Sequence, residues 1–547
     1  KQSLVWTLGF PAQEHKVDAG IDVSDPATGK GAGEILSVDD ITGRLELKRG
    51  RTFEGVPLPA ALIPNLVVPT REQAESILRT GEWVVAHGLS SPAGVQPGAS
   101  DLAAARALLL GTRPGPARGP GGDLRLADER PLDAAVRLAP VLEGVVLPIQ
   151  GPPGSGKTHT GARMILALVG HGKKVGVVAN SHKVIGNLLQ KVADLGVDLG
   201  VPVRIGQKPK AGWPPTYPRA TTIDDNAGIE AALRADGIDV VGAVSWTWAR
   251  AEMASPEPVL DVLFVDEAGQ MSLANVLACA PAARSIVLLG DPQQLDQPTQ
   301  GSHPPGAERS ALAHILGDRA TIPATDGLFL EETWRLHPAI CTFTSEAFYA
   351  GRLSPRPGNE RQRVTTDRLT LFADGPALDG AGMRFVPVIH RGNDTDSVEE
   401  AAAIVELVHG LLAANPHWTD PTGIVRSMTV DDVVIVAPYN AHVARIEQAF
   451  ARAGIDRAFV GTVDKFQGQE RPISIYAMGT SAPEDAPRGM EFLYSLNRLN
   501  VATSRARCIA AVVCSPALLR VACRTPRQMQ LANGLCLAVE AAGIVSV

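Results

Sequence analysis

At 547 residues the chain is too long for a single hydrophobic core, and length alone predicts roughly three or four domains. Hydrophobic residues at 45% and a mean hydropathy near zero describe a globular chain, and no apolar run is long enough to span a bilayer. The formal charge of −7 excludes a generally basic protein, so a nucleic acid would have to be held in a local groove.

Residues 1–95 read as a small β-barrel accessory domain. Gly33-Glu-Ile-Leu-Ser-Val38, a turn at Asp39–Gly43 and Arg44-Leu-Glu-Leu-Lys48 give strand, turn and strand with alternating apolar positions. Residues 96–130 are rich in Gly, Pro, Ala and Arg and read as a linker or mobile loop, with one short helix at Asp101–Leu110. From 131 the pattern becomes strand, loop and helix. Apolar runs at Lys174–Ala179, Val240–Val244, Val262–Val265 and Ile286–Leu289 predict buried parallel strands. A second series follows at Val433–Ala437, Ile473–Ala477 and Ile509–Val513. The fold class is therefore α/β, with tandem units at 131–325 and 326–547 and a break at Thr321–Gly327.

Six cysteines lie far apart or on apolar segments with no CxxC pair, which excludes a zinc ribbon and a disulfide framework and suits a cytoplasmic protein. No histidines have metal-ligand spacing. The chain starts at Lys1 without Met, which we read as a fragment with a partner domain before it.

The chemistry begins at Gly151-Pro-Pro-Gly-Ser-Gly-Lys-Thr158, the G-x-x-x-x-G-K-T spacing of a phosphate-binding loop between a strand and a helix. Gly151, Pro152, Pro153, Gly154, Ser155 and Gly156 would wrap phosphates with backbone N–H groups, helped by the dipole of the helix that follows. Lys157 would reach the β- and γ-phosphates of ATP, and Thr158 would ligate Mg²⁺. The apolar strand at Val262–Val265 then delivers Asp266 and Glu267. Asp266 would hold Mg²⁺ through water, and Glu267 would orient or deprotonate the attacking water.

With Asp-Glu-Ala-x-Gln at 266–270, the chain resembles the Upf-like branch of superfamily 1B helicases, over residues of roughly 145–515. Ser181-His-Lys-Val-Ile-Gly-Asn-Leu-Leu189 is similar to motif Ia, and Gly290-Asp-Pro-Gln-Gln-Leu-Asp-Gln297 to motif III. Glu332-Thr-Trp-Arg-Leu-His-Pro338 resembles motif IV, and Ala437-Pro-Tyr-Asn440 the family's Pro-Tyr turn. Gly461–Glu470 resembles motif V and Arg498–Arg507 motif VI. The resemblance implies two RecA-like P-loop NTPase domains, the β-barrel beside them and 5′-to-3′ movement on single strands.

It also implies roles. Gln294 would sense the γ-phosphate, Glu470 would bond the ribose, and Gln467 would couple strand to nucleotide. Arg335 and Arg505 would act as arginine fingers from the second unit, since the planar fork of Arg matches phosphate oxygens. Ser181, His182, Thr247, Tyr439, Asn440, Thr462 and Asp464 are the candidates for sequence-independent contacts to the strand. Trp334 could pack near the base of ATP or within the core. In the insert at 203–236, Arg204, Lys208, Lys210 and Arg219 stand among Trp213 and Tyr217, which fits either a single-strand platform or a solvated loop.

The chain departs from the family at Thr333 (usually Gln), Asn497 (often Arg) and Ala437 (usually Thr), and Leu132–Leu142 holds no glutamine to read adenine. The reading is an ATP-dependent translocase or helicase on single-stranded DNA, with RNA left open, in a DNA-repair or defence setting. The expectation is the helicase half of a bacterial fusion to a RecB-like nuclease, with the nuclease as a domain or a subunit N-terminal to this chain. The alternative is a P-loop ATPase switch or remodelling factor coupled to such a nuclease.

Overall fold

The structure, a computed structural model, describes residues 3–545 apart from 12, 14, 16, 41, 66–68, 91–100, 112–121, 256, 298–302, 305, 368–377, 456, 457 and 467. The chain divides into two compact units. The P-loop unit comprises Thr70–Arg335 and Ser345–Arg356; the second unit comprises Lys1–Pro69, Leu336–Thr344 and Pro357–Val547.

The second unit opens with five strands, β1 (Leu4–Gly9), β2 (Asp22–Asp25), β3 (Lys30–Asp39), β4 (Arg44–Arg49) and β5 (Ile63–Pro64). They form an antiparallel sheet in the order β1-β4-β3-β2-β5. Alternation places Val23, Ala32, Ile35, Leu45 and Leu47 in a small core, with Val17 beside them. Among the described residues β1 and β5 do not pair, so this is an open sheet rather than the expected barrel. Two-residue β5 is too short to close it.

The P-loop unit is built on a sheet of eight parallel strands. These are β6 (Val146–Gln150), β7 (Val175–Val178), β8 (Ile205–Gln207), β9 (Thr221–Thr222), β10 (Val240–Gly242), β11 (Leu260–Asp266), β12 (Ala283–Gly290) and β13 (Leu328–Phe329). Their order is β13-β6-β12-β11-β7-β10-β8-β9. Helices cover the sheet, so β6, β7 and β10 are buried at every residue and read as unbroken apolar runs.

Three expectations about boundaries need correction. The helix Arg71–His87, inside the span assigned to the barrel, belongs to the P-loop unit. Its buried polar face explains why: Ser76 Oγ donates to Ala278 O at 2.7 Å, and Arg79 donates to Ala249 O at 3.0 Å. The short helix in the supposed linker is there at Ala103–Leu110, but Ala104, Ala105, Ala107 and Leu108 are buried in this unit; much of the rest of that span lies outside the described residues. The break at Thr321–Gly327 is not a break between units. Ile322 N donates to the Gln150 side chain at 2.8 Å, and β13 then pairs with β6. Gly327 is needed for this approach, since a Cβ there would lie 2.5 Å from Pro148 O. The unit ends with two paired segments, β14 (Glu332–Thr333) and β15 (Ser354–Pro355).

The rest of the second unit holds a three-stranded sheet of β16 (Arg363–Thr365), β18 (His417–Thr419) and β19 (Val425–Ser427), and a larger parallel sheet. The latter contains β17 (Gly382–Pro387), β20 (Val433–Ala437), β21 (Phe459–Thr462), β22 (Arg471–Ala477), β23 (Ala506–Cys514) and β24 (Ala542–Ile544), in the order β21-β20-β22-β23-β17-β24.

A fully buried carboxylate ties the C-terminal edge of this sheet together. Glu400 accepts from His390 Nε2 at 2.9 Å, His442 Nε2 at 3.2 Å and Gly479 N at 2.8 Å. Burial alone would raise its pKa; these hydrogen bonds more than reverse that and hold it below the usual range. No helix among the described residues is long and apolar enough to cross a membrane.

Candidate functional site

The C-terminal ends of the eight parallel strands form one edge, where ligands gather in open α/β sheets. Along the order β6-β12-β11-β7-β10 this edge carries in turn the phosphate loop, Asp291 with Gln294, Asp266 with Glu267, Ser181 with His182, and Thr247.

The phosphate loop leaves β6 and enters the helix Lys157–Gly170. Gly154 and Gly156 stand at φ 72° and 83°, which turn the backbone N–H groups inward. Lys157 Nζ donates to Gly151 O at 2.6 Å, and the buried Ser155 Oγ has no hydrogen-bond partner among the described residues. An ammonium resting on its own loop and an orphan hydroxyl inside the cradle fit a phosphate group. Thr158 follows in the first helical turn, as a magnesium ligand requires.

Gly154 also lies against the segment after β14. Trp334 N donates to Gly154 O at 2.9 Å, and Thr333 Oγ1 donates to Pro153 O at 2.8 Å. A Cβ on Gly154 would lie 2.5 Å from Arg335 Cβ and 2.8 Å from Thr333 Oγ1, whereas a Cβ on Gly156 would meet nothing. Gly154→Ala should therefore weaken nucleotide binding at least about tenfold and lower stability by ~1–3 kcal/mol through its left-handed backbone and the clash. Gly156→Ala should carry only the backbone strain, ~1–2 kcal/mol. A fluorescent-nucleotide titration and thermal unfolding of the two variants check this.

This contact corrects the expected placement of Arg335. It belongs to the P-loop unit, not to the second one, because β13 and β14 carry the chain back to the phosphate loop. Trp334 is not core: it is 56% exposed, with the Arg356 guanidinium 3.3 Å from its ring centroid.

Asp266 ends β11 and is buried. Burial and the adjacent Glu267 charge push its carboxyl up to about 7, with Lys157 opposing. Glu267 follows at φ 55°, a left-handed conformation unusual for a side chain of its size and held by its surroundings. Its N–H donates to Asp266 Oδ1 at 3.0 Å, its carbonyl accepts from Gln270 N at 2.8 Å, and Ala268 N donates to Leu289 O at 2.8 Å. Gly269 and Gly290 let this turn and the one after β12 touch, since a Cβ on Gly269 would lie 2.5 Å from Asp291 O.

Asp291 is a central residue that sequence reasoning left without a role. It accepts from Tyr349 Oη at 2.6 Å, Gln294 Nε2 at 3.0 Å, Gln293 N at 3.1 Å and Gln150 Nε2 at 3.4 Å. Burial raises its carboxyl, and Lys157, Tyr349 and Gln294 oppose. Gln294 is thus fixed to a buried acid. Asp291 stands directly after β12 in the Gly290–Gln297 segment that resembles motif III, which was its sequence signal; Tyr349 gives none.

Of the strand candidates on this unit, Ser181 caps the helix His182–Leu199, accepting from Val184 N at 3.2 Å. His182 is partly buried, and burial together with Lys210 lowers its pKa. Thr247 is 2% exposed, which corrects its expected place on the surface: the turn Ser245–Trp248 points it inward.

On the second unit, Tyr439 is buried against Phe492, with ring centroids 5.2 Å apart. That is a correction too, since no ring surface is left to solvent. Asn440 starts the helix Asn440–Arg452 and donates to His15 O at 3.4 Å. Thr462 ends β21, its carbonyl accepting from Lys465 N at 3.0 Å, and Asp464 is exposed. These four follow the C-terminal ends of β20 and β21. Glu470 and Arg505 sit at the opposite edge, before β22 and β23. Arg505 is 3% exposed and donates to Gln469 O at 3.3 Å, while Glu470 is ion-paired with Arg507. Gln467 lies outside the described residues.

Two family models match the chain, each described as an AAA domain, over residues 134–304 and 308–517. DNA polymerase alpha-associated DNA helicase A of Schizosaccharomyces pombe is 25% identical over 415 residues, 65% of this chain and 59% of that one. DNA-binding protein SMUBP-2 of Mesocricetus auratus is 26% identical over 423 residues, 67% of this chain and 40% of that one. The mouse DNA replication ATP-dependent helicase/nuclease is 25% identical over 381 residues, 66% of this chain and 34% of that one. The chain thus spans 34% to 59% of the length of these relatives. Fold and phosphate loop together define a P-loop NTPase of the α/β class. The family that the matches support is the Upf-like superfamily 1 helicases.

Proposed function

We propose that the chain is an ATP-driven translocase that moves along single-stranded DNA and separates duplexes, with the 5′-to-3′ polarity that the Upf-like resemblance implies. The observation that carries this reading is the single edge of the eight-stranded sheet. On it, nucleotide chemistry at β6, β12 and β11 runs directly into the strand candidates after β7. A change at the phosphates is thereby within a few strands, spaced about 4.8 Å apart, of a group that could hold a nucleic-acid backbone.

In this reading Lys157 holds the β- and γ-phosphates, and Thr158 and Asp266 are the residues that would hold Mg²⁺. When bound, the ion would supply neutralisation of the phosphate charge. Glu267 takes the proton of the attacking water, Gln294 follows the γ-phosphate from its bond to Asp291, and Glu470 bonds the ribose. Arg335 and Arg505 stabilise the charge on the transferred group. Ser181, His182, Asn440, Thr462 and Asp464 are the groups offered to the strand. The relatives' names, which include DNA helicases, support DNA as substrate. Coupling to a nuclease is part of the same proposal, supported by the mouse relative whose name joins the two activities.

The test is steady-state ATP hydrolysis without nucleic acid, with single-stranded DNA and with single-stranded RNA of equal length, using Glu267→Gln as the blank. Stimulation by DNA is the expected result. Stimulation by RNA alone would overturn the substrate, and stimulation by neither would replace the motor with a switch-type ATPase.

A further inference from the structure

The edge that carries the phosphate loop continues beyond Ser181. The next two strands, β10 and β8, each release a tryptophan after their C-terminal ends. In the turn Ser245–Trp248, Thr247 and Trp248 are buried, with Trp248 Nε1 donating to Ala243 O at 3.1 Å, but Trp246 stays 36% exposed. Trp213, in the loop after β8, is 65% exposed.

That loop is fastened. Thr216 Oγ1 donates to His182 O and accepts from Gln207 Nε2, both at 2.6 Å, and Gln207 Oε1 accepts from the N–H of buried Tyr217 at 3.0 Å. Gly186 makes room for it, since a Cβ there would lie 2.3 Å from Thr216 Oγ1. The loop is therefore pinned across the first turn of the helix that Ser181 caps. Of the basic residues in this insert, Arg204 is held by Asp239 and Lys208 by Asn226. Lys210 Nζ instead lies 5.7 Å from the centroid of the Trp213 ring.

A large ring on a pinned loop gives an apolar face to water, beside a cation and a helix start, in line with the phosphate loop. A nucleobase covers such a face without regard to sequence. We propose that Trp213, with Trp246 after the neighbouring strand, stacks the bases of a single strand whose backbone crosses Ser181 and His182, with Lys210 set against the phosphates. The proposal rests on the reading of the chain as a single-strand motor and names the residues that grip the bases.

The experiment compares wild type, Trp213→Ala and Trp213→Phe by fluorescence anisotropy. Two labelled probes are used, a thymidine oligonucleotide and an abasic oligonucleotide of the same length. Trp213→Ala should bind the thymidine strand about tenfold more weakly, in line with the loss of one base–aromatic stack. Trp213→Phe should stay close to wild type, and all three should bind the abasic strand alike. Wild-type affinity of Trp213→Ala for the thymidine strand would overturn the proposal. So would an equal loss on both strands, which would mark an effect on the fold or the backbone grip. Failure of wild type to bind either strand would instead bring down the motor reading, and this proposal with it.

Discussion

Glu267→Gln is expected to lower ATP turnover by about 10²–10⁴, the usual contribution of a positioned general base, while the Kd for ATP stays within a few-fold of wild type. The structure gives the reason for this separation. The backbone of Glu267 is held at φ 55° by hydrogen bonds of its own N–H and carbonyl, and the next residue is bonded to Leu289. None of these uses the Glu267 carboxylate, so an isosteric amide keeps the turn. The substitution also takes away the charge that helps raise Asp266, so Asp266 ionises more readily beside Lys157. Nucleotide binding should therefore not suffer. Phosphate release measured at saturating ATP, beside a fluorescent-nucleotide titration, separates the two quantities. Equal turnover in wild type and variant would remove Glu267 from the chemistry.

Arg505→Ala should slow hydrolysis by about 10³–10⁵, the range of an arginine finger, with a much smaller effect on nucleotide affinity. Arg505 is buried at the N-terminal edge of the second sheet, where its carbonyl accepts from Arg471 N at 3.0 Å and its guanidinium reaches Gln469 O. A side chain fixed at both ends is pre-organised, which is what charge stabilisation in a transition state requires. Arg505→Lys keeps the charge but not the planar fork, and should recover little of the rate. Single-turnover hydrolysis, with unfolding transitions as a control, gives the answer. A loss confined to binding, or to stability, would assign Arg505 a structural part only.

The strands that carry the chemistry were legible because they are buried on both faces. Val433–Ala437 is predicted and found to the residue, and β7, β11, β12, β22 and β23 each overlap a predicted run. Short elements escaped for the opposite reason. Two- and three-residue strands such as β8, β9 and β13 hold too few residues to show a period. The helix Arg71–His87 buries Gln73, Ser76 and Thr80 on its packed face, so polarity misreports its environment. Pro323 and Gly327 read as punctuation, but they mark a close passage of one backbone over another. In the site, residues at strand ends were legible by type and spacing. Asp291 and Tyr349 were not, because their partnership spans 58 positions and no local pattern encodes it. Thr247 and Tyr439 show the converse error: a polar tip at a strand end suggests a contact, yet the side chain is folded inward.

The chain passes between its two units after Pro69, Arg335, Thr344 and Arg356. No single cut can therefore release the P-loop unit whole. A fragment ending at Gly327, where the sequence invites a boundary, would lose β13 from the sheet edge and Tyr349 from Asp291. A buried carboxylate short of a donor costs roughly 1–3 kcal/mol or more, on top of the lost strand. Limited proteolysis should find no stable piece that begins at Thr70 and stops before Arg356. A shortened version of this protein that hydrolyses ATP would have to keep both segments, which makes the nucleotide half of the molecule inseparable from the stretch of chain that threads through the other half.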